Sequence, residues 1–378
     1  MSGADLLFSL REFQDRLDRV RALMRARGIE LLVVDDVEAM AWISGYGVSD
    51  TLWRALAVPD RAEPFMLVRS LDLAPARERS WLADIVGFRD WDDPLEAFVA
   101  ELRHRGLLHK RMGLDYGSHS MSAHRFFRLK ALLGRGPDDF GPGIWQLRWT
   151  KSPAELGYLK RAASIADAAM LRAVAAAKVG GTQRDVVKAA ATAYLELGAD
   201  DALVGPLTLG KGWDSLHGHE SGLPLARGDV VHIELVPRVR DYSARIMRPC
   251  VVGQPTREQL EIARVLVDVQ DLQLASMRPG AVACDIDAIV RNGLRDSGLR
   301  PAYDNVTGYT LGAYPATTQR ISVFSRAFTP AATWKLEAGM CLHMYTSAAG
   351  LAFSESVHVT ATGIERLTKS DRRLFSTA

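Results

Sequence analysis

Cysteine is scarce in this chain: Cys250, Cys284 and Cys341 are the only three in 378 residues, with no CxxC pair and no framework spacing. That excludes a disulfide-stapled scaffold and a cysteine-rich zinc module, and the three read as reduced thiols of a cytoplasmic protein. An excess of one charge is missing too. The 47 Lys and Arg and 45 Asp and Glu leave a net +2, with the basic residues scattered along the chain. A phosphate backbone calls for a basic stripe, so no nucleic acid partner is expected. No apolar run reaches the ~18 residues of a membrane span, and none is expected. The opening MSGADLLFSLREF has neither a basic n-region nor an apolar h-region, so no signal peptide is expected.

What remains is an ordinary globular composition, 48% hydrophobic and 24% charged, long enough for two cores. From Phe8 to Arg27 the apolar residues Phe13, Leu17, Val20, Leu23 and Met24 fall at helical spacing. Gly28 stops that helix, and the run from Glu30 to Val34 reads as a buried strand. Further strands are expected at Trp53 to Pro59, Phe65 to Val68 and Met112 to Asp115, with a helix at Pro94 to Arg103. The alternation predicts an α/β first domain.

The character changes at Trp149-Thr-Lys-Ser-Pro-Ala-Glu. Ser152 with Pro153 and Glu155 forms a capping box opening a long Ala-rich helix. A second helix follows from Thr182 to Leu197, then strands at Val230 to Val236 and Ala244 to Val252 around a polar turn at Arg238 to Tyr242. Helices at Thr256 to Met277 and Asp285 to Ser297 and strands at Met340 to Tyr345 and Ser356 to Ala361 repeat that order. Two such halves predict a cleft, a natural ligand site. The boundary is placed at 150, giving domains 1–150 and 151–378.

Five strings carry a resemblance over nearly the whole chain. They are Lys151-Ser-Pro-Ala-Glu-Leu-Gly-Tyr-Leu-Lys-Arg-Ala, Gly228-Asp-Val-Val-His-Ile-Glu-Leu, Thr307-Gly-Tyr-Thr-Leu-Gly, Glu337-Ala-Gly-Met-Cys-Leu-His-Met-Tyr and Phe353-Ser-Glu-Ser-Val-His-Val-Thr-Ala-Thr-Gly. In order and spacing they resemble the creatinase/aminopeptidase P superfamily, nearest its creatinase and ectoine hydrolase branches. The resemblance implies a creatinase-like N-terminal α/β domain followed by a pita-bread domain. Metallopeptidases of that fold hold two divalent cations with two aspartates, a histidine and two glutamates. At those places this sequence reads Glu234, Arg245, Tyr309, Tyr345 and Glu355, the last expected to match. Two carboxylates facing a permanently protonated guanidinium and neutral phenols make a poor two-metal site, so no metal and no cofactor are expected.

The resemblance to the metal-independent branches implies a hydrolase of a C–N bond. His217, eleven positions before Gly228, stands where their catalytic histidine does, and an imidazole can take a proton from water and deliver one to a leaving nitrogen. A solvated loop histidine is the plainer alternative, and His219 shares that loop. Glu234 and Glu355 are expected either to orient water or the leaving nitrogen, or to pair with Arg245. Arg54 and Arg320 match the two arginines with which creatinase grips a carboxylate, so a small carboxylate substrate is implied. In the relatives the N-domain arginine serves a neighbouring subunit, which implies a homodimer. Tyr309, His343, Arg245, Tyr345 and Trp53 complete the expected substrate-binding set; Trp42, Tyr46 and Trp53 could wall the pocket, although aromatics at such positions are more often core, and His232 reads as an ordinary strand residue. Met247 and Tyr345 stand where creatinase has the two glutamates for its guanidinium, which argues against creatine. Tyr314-Pro-Ala-Thr-Thr-Gln-Arg departs from the ectoine hydrolase pattern. The alternatives are a non-catalytic pita-bread binding module and a metal-dependent Xaa-Pro peptidase.

Overall fold

The computed structural model of the chain describes residues 5–48, 51–210, 216–218, 220–315 and 322–377. The chain divides into two units. One runs to Arg148 and takes in Tyr314 and Pro315; the other comprises Trp149–Ala313 and the chain from Ser322 onward.

The first unit is a six-stranded mixed sheet. Its strands are β1 (Leu31–Val34), β2 (Ala55–Pro59), β3 (Phe65–Arg69), β4 (Ile85–Phe88), β5 (Met112–Leu114) and β6 (Asp138–Asp139), in the order β4-β3-β2-β1-β5-β6. Six helices go with them: α1 (Leu10–Ala26), α2 (Val37–Ser44), α3 (Leu73–Arg79), α4 (Pro94–His104), α5 (Ala123–Leu133) and α6 (Gly143–Arg148). β1 shows why its sequence is apolar throughout. Leu32 and Val34 pack with Leu17, Val20 and Met24 of α1, while Leu31 and Val33 pack with Leu95, Phe98 and Leu102 of α4. A strand covered on both faces has no polar side to alternate with. Each such buried aliphatic side chain contributes about 1.5–3 kcal/mol.

The second unit opens with α7 (Pro153–Ala176) and α8 (Gln183–Leu197), both started by capping boxes, Ser152 with Glu155 and Thr182 with Asp185. β7 (Leu207–Leu209), β8 (Val230–Leu235), the short β9 (Arg238–Val239) and β10 (Tyr242–Ser243), and β11 (Ile246–Val252) follow. The order then recurs with α9 (Arg257–Ala275), α10 (Ala283–Asp296), β12 (Gly308–Thr310), β13 (Cys341–Ala348) and β14 (Leu351–Val359); β15 (Ile364–Arg366) and β16 (Phe375–Thr377) close the chain. The main sheet runs β12-β13-β14-β11-β8-β7, with β15 on β14 and β16 on β11. Leu342, Met344, Val357 and Val359 pack against Leu274 of α9 and Ala283 and Ile286 of α10, which fixes one face of β13 and β14 as the helix-covered one.

Two hairpins depart from the sequence reading. The turn at Arg238 to Tyr242 is itself a hairpin of β9 and β10, with Arg240 at φ 52° and Asp241 at φ 68°. β14 starts at Leu351 rather than Ser356, after a two-residue turn with Ala349 at φ 49° and Gly350 at φ 78°. Both turns have the twist that suits a hairpin, yet place Arg, Asp and Ala where Asn-Gly would be the signal. Cys250 and Cys341 are buried free thiols, and burial pushes both up to about 12.

Candidate active site

Strand alternation decides which side chains share a face, and the second unit's sheet gives the register directly. Tyr309 pairs with His343, His343 with Ser356, Tyr345 with Ser354, Ser354 with Met247, and Met247 with Glu234. Directly paired residues point the same way. One face therefore carries Glu234, Met247, Ser354, Ser356, His343, Tyr345 and Tyr309, with His232 two residues before Glu234 on β8. It is the face opposite Met344 and Val357, hence opposite the helices α9 and α10.

Arg245 joins that face just ahead of β11. Its Nη1 lies 3.5 Å from Glu234 Oε1 and donates to the Tyr309 phenol oxygen, with the guanidinium 5.3 Å from the Tyr309 ring centre. Ser356 anchors its backbone, Oγ accepting from Arg245 N–H and donating to Arg245 C=O, each at 2.8 Å. The charge of Glu234 is thus opposed by one guanidinium within the site. Tyr309 can come so close because Gly308 precedes it: a Cβ there would sit 2.5 Å from Met344 Sδ and 2.8 Å from His343 C=O.

His343 is fully buried between two phenols, its ring 5.5 Å from Tyr345 and nearly parallel, and 5.0 Å from Tyr309 edge-on. Neither ring nitrogen has a hydrogen-bond partner among the described residues, and burial, aided by Arg245, holds its pKa well below the usual histidine range. Tyr345 accepts from Asn305 Nδ2 at 3.0 Å, and burial pushes its phenol well up. Asn305 is held in turn by Arg300 Nη2 at 2.7 Å. Sequence reasoning missed Asn305 and Ser354. A single polar residue in the loop before β12 carries no pattern, and Ser354 was hidden by the late start assigned to β14.

Glu355 is a correction. Register places it opposite Met344, so it points away from the face that holds Glu234 and Arg245. Its partner is not Arg245 but Arg248, whose Nη2 donates to Oε1 at 2.7 Å, both side chains fully buried. Arg372 and Arg366 stand 3.4 and 3.5 Å away, and the Thr368 hydroxyl donates to Oε2. A one-residue offset in a strand exchanges faces. The position beside Met247 and Tyr345 belongs to Ser354.

That correction bears on metal. The face offers Glu234 as its carboxylate, opposed by Arg245, with phenols, a serine and buried imidazoles around it. Such a donor set does not fit a pair of divalent cations, which needs surplus negative charge and several hard oxygens. Among the described residues, no group of three or more His, Cys, Asp or Glu side chains is placed to hold a metal ion.

The remaining expected residues lie elsewhere or outside the description. His217 is exposed on a short helical turn, close enough to His232 to add to the depression of its pKa. His219 and Arg320 lie outside the described residues. Arg54 belongs to the first unit and is buried, Nε donating to Gly47 C=O at 2.9 Å and Nη1 to Ser120 Oγ at 3.0 Å, near Asp35 and Asp36. Trp53 is a core residue, packed edge-on against Phe98 with its Nε1–H on Asp35 Oδ2 at 2.8 Å. Trp42 and Tyr46 are core as well. No helix among the described residues is long and apolar enough to cross a membrane.

Known proteins share the fold. Residues 157–361 match metallopeptidase family M24, and residues 16–149 the creatinase/prolidase N-terminal domain. The Xaa-Pro dipeptidase of Pyrococcus furiosus is 25% identical over 96% of this chain and 100% of its own length. The ectoine hydrolase of Halomonas elongata is 25% identical over 99% of this chain and 100% of its own. The crystal structure of the Pyrococcus horikoshii prolidase covers 95% of this chain and 99% of its own with a TM-score of 0.81, and at 20% identity it speaks to the fold. The α/β N-terminal and pita-bread C-terminal architecture expected from the motifs is the one observed, and the chain belongs to the M24 hydrolase family of the creatinase/aminopeptidase P superfamily.

Proposed function

We propose that this chain hydrolyses a C–N bond, an amide, cyclic amidine or related group, in a small carboxylate-bearing molecule without a bound metal. The observation that carries this reading is the site face itself: Glu234 is opposed by Arg245, and Tyr309, Tyr345 and Ser354 occupy the other strand positions around it. The similarity to an ectoine hydrolase over nearly the full length supports it. His217 takes a proton from water and returns it to the leaving nitrogen, while Glu234 orients the water. Arg54 and Arg320 grip the substrate carboxylate, Arg54 reaching the site of the second subunit of a homodimer. Glu355 is not part of this machinery, because it faces the other side of the sheet. Met247 and Tyr345 supply no charge to a guanidinium, so creatine is disfavoured.

The test is turnover, in excess EDTA, of ectoine, hydroxyectoine, creatine and a set of N-acyl and N-carbamoyl amino acids, followed by mass spectrometry. Product with metal removed supports the reading. His217→Ala is expected to lower kcat by a factor of about 100 or more, the ordinary worth of a general base. Activity seen only after addition of Mn or Zn, or an unchanged rate in His217→Ala, overturns it.

A further inference from the structure

His232 is the residue that neither the fold nor the reaction as described explains. It is 1% exposed on β8, paired with Thr208 of β7 and Pro249 of β11, and both its ring nitrogens lack a hydrogen-bond partner among the described residues. A strand position that only had to be filled would be better served by Leu or Ile, since an unsatisfied buried polar group opposes folding. Its neighbour on the same face is Glu234, also 1% exposed, with His232 Nε2 at 4.0 Å from Glu234 Oε2. That gap is too long for a direct hydrogen bond and short enough for one water to touch both atoms. Burial holds the imidazole neutral, with its pKa lowered to about 3, so its ring offers one donor and one acceptor rather than a second positive charge. His217 is near enough to be felt at that ring.

We infer that His232 Nε2 and Glu234 Oε2 together hold the hydrolytic water, which makes His232 a catalytic residue of the proposed reaction. This rests on the proposed function and adds the place from which the nucleophile starts. The imidazole N–H donates to the water oxygen and the carboxylate accepts one of its hydrogens, leaving an oxygen lone pair to attack. As that oxygen bonds the acyl carbon, one water proton passes to His217; as the C–N bond breaks, His217 gives a proton to the nitrogen. One water is consumed, the acyl carbon gains a hydroxyl oxygen, the nitrogen gains a hydrogen, and nothing is oxidised or reduced. His232 neither gains nor loses a proton. Its contribution is to keep the water seated, with one lone pair aimed at the acyl carbon.

The experiment pairs His232→Leu with His232→Gln in the full-length protein. His232→Leu is expected to lower kcat about 100-fold with KM within about threefold, because the loss falls on water positioning rather than on substrate binding. Its melting temperature should be no lower than that of the wild type, since a buried polar ring held only by water gives way to an apolar side chain. His232→Gln, which can still bond water, should recover about tenfold or more of the lost rate. A kcat for His232→Leu within about threefold of wild type overturns the inference. If His232→Leu fails to fold, the Gln variant and a wild-type crystal structure fine enough to place waters decide. An oxygen within hydrogen-bond distance of both atoms supports the inference, and its absence overturns it. If the wild type turns over nothing with metal removed, the proposed function falls, while the water position still judges this inference separately.

Discussion

The two faces of β14 lie one residue apart and are built on opposite principles. On the helix side, Glu355 and Arg248 leave nothing unspent. Arg248 donates through Nε to Asp371 C=O, through Nη1 to the carbonyls of Met247 and Ser354, and through Nη2 to Glu355 and Ser370 C=O. Both Glu355 oxygens are engaged. On the other side, Ser354, His343 and His232 are buried with polar atoms that have no hydrogen-bond partner among the described residues. A buried ion pair with full hydrogen bonding ties the C-terminal segment 366–373 to the sheet, which is structural work. Buried polar atoms without partners do no such work and need an explanation in ligand or water.

The comparison breaks most visibly at Glu355. Glu355→Ala leaves Arg248 buried without its counter-charge, with Arg366 and Arg372 beside it, and a loss of about 3–5 kcal/mol is expected. Urea unfolding of variant and wild type measures it. A loss under about 1 kcal/mol would mean that the cluster is not what holds the C-terminal segment.

Acid sharpens the contrast, because the face that lacks partners also holds neutral histidines. His232 is held at about 3 against an ordinary histidine value of 6.5, so the unfolded chain binds a proton that the native one refuses between those values. Stability from this group is therefore unaffected above about 6.5 and falls as pH drops, by about 3 kcal/mol at pH 4. Asp35 in the first unit works the other way. Burial raises it to about 6, so its cost is present above that pH and is relieved as pH falls toward the ordinary carboxylate value of 3.8. Comparing wild type with His232→Leu cancels the Asp35 contribution. The stability difference between the two proteins should widen in favour of the variant below pH 6.5, and a pH-independent difference would sink the assignment of a neutral His232.

How much of this was legible depends on whether the signal was local. The buried β1 run, the capping box of Ser152, the helix opening at Thr182, and the doubled helix–helix–strand–strand order are short-range patterns, and the elements formed where they pointed. Glu234, Arg245, Tyr309 and Tyr345 also came out on one face. Glu355 did not, because its side depends on where β14 begins. The Ala349-Gly350 turn that starts β14 has an alanine in the left-handed region, where no local signal marks it. With β14 begun at Ser356, Glu355 had no strand phase, and Ser354 was not considered at all. His232 escaped for another reason: an unsatisfied imidazole is a three-dimensional fact, invisible until every neighbour is known.

The smallest expected effect is the most specific test of that phase. Ser354 Oγ is fully buried and has no partner, although its residue is flanked on β14 by Phe353 and by the heavily bonded Glu355. Ser354→Ala removes a hydroxyl that contributes no hydrogen bond within the protein, so stability should change by less than about 1 kcal/mol and should move upward. Were the register shifted by one, Ser354 would face the helices in place of Glu355. The two adjacent alanine variants would then differ in the opposite sense, with Ser354→Ala the costly one. Measured side by side in urea, a large loss at 355 with none at 354 fixes the phase of β14, and with it the statement that a serine rather than a carboxylate stands beside Tyr345 and Met247.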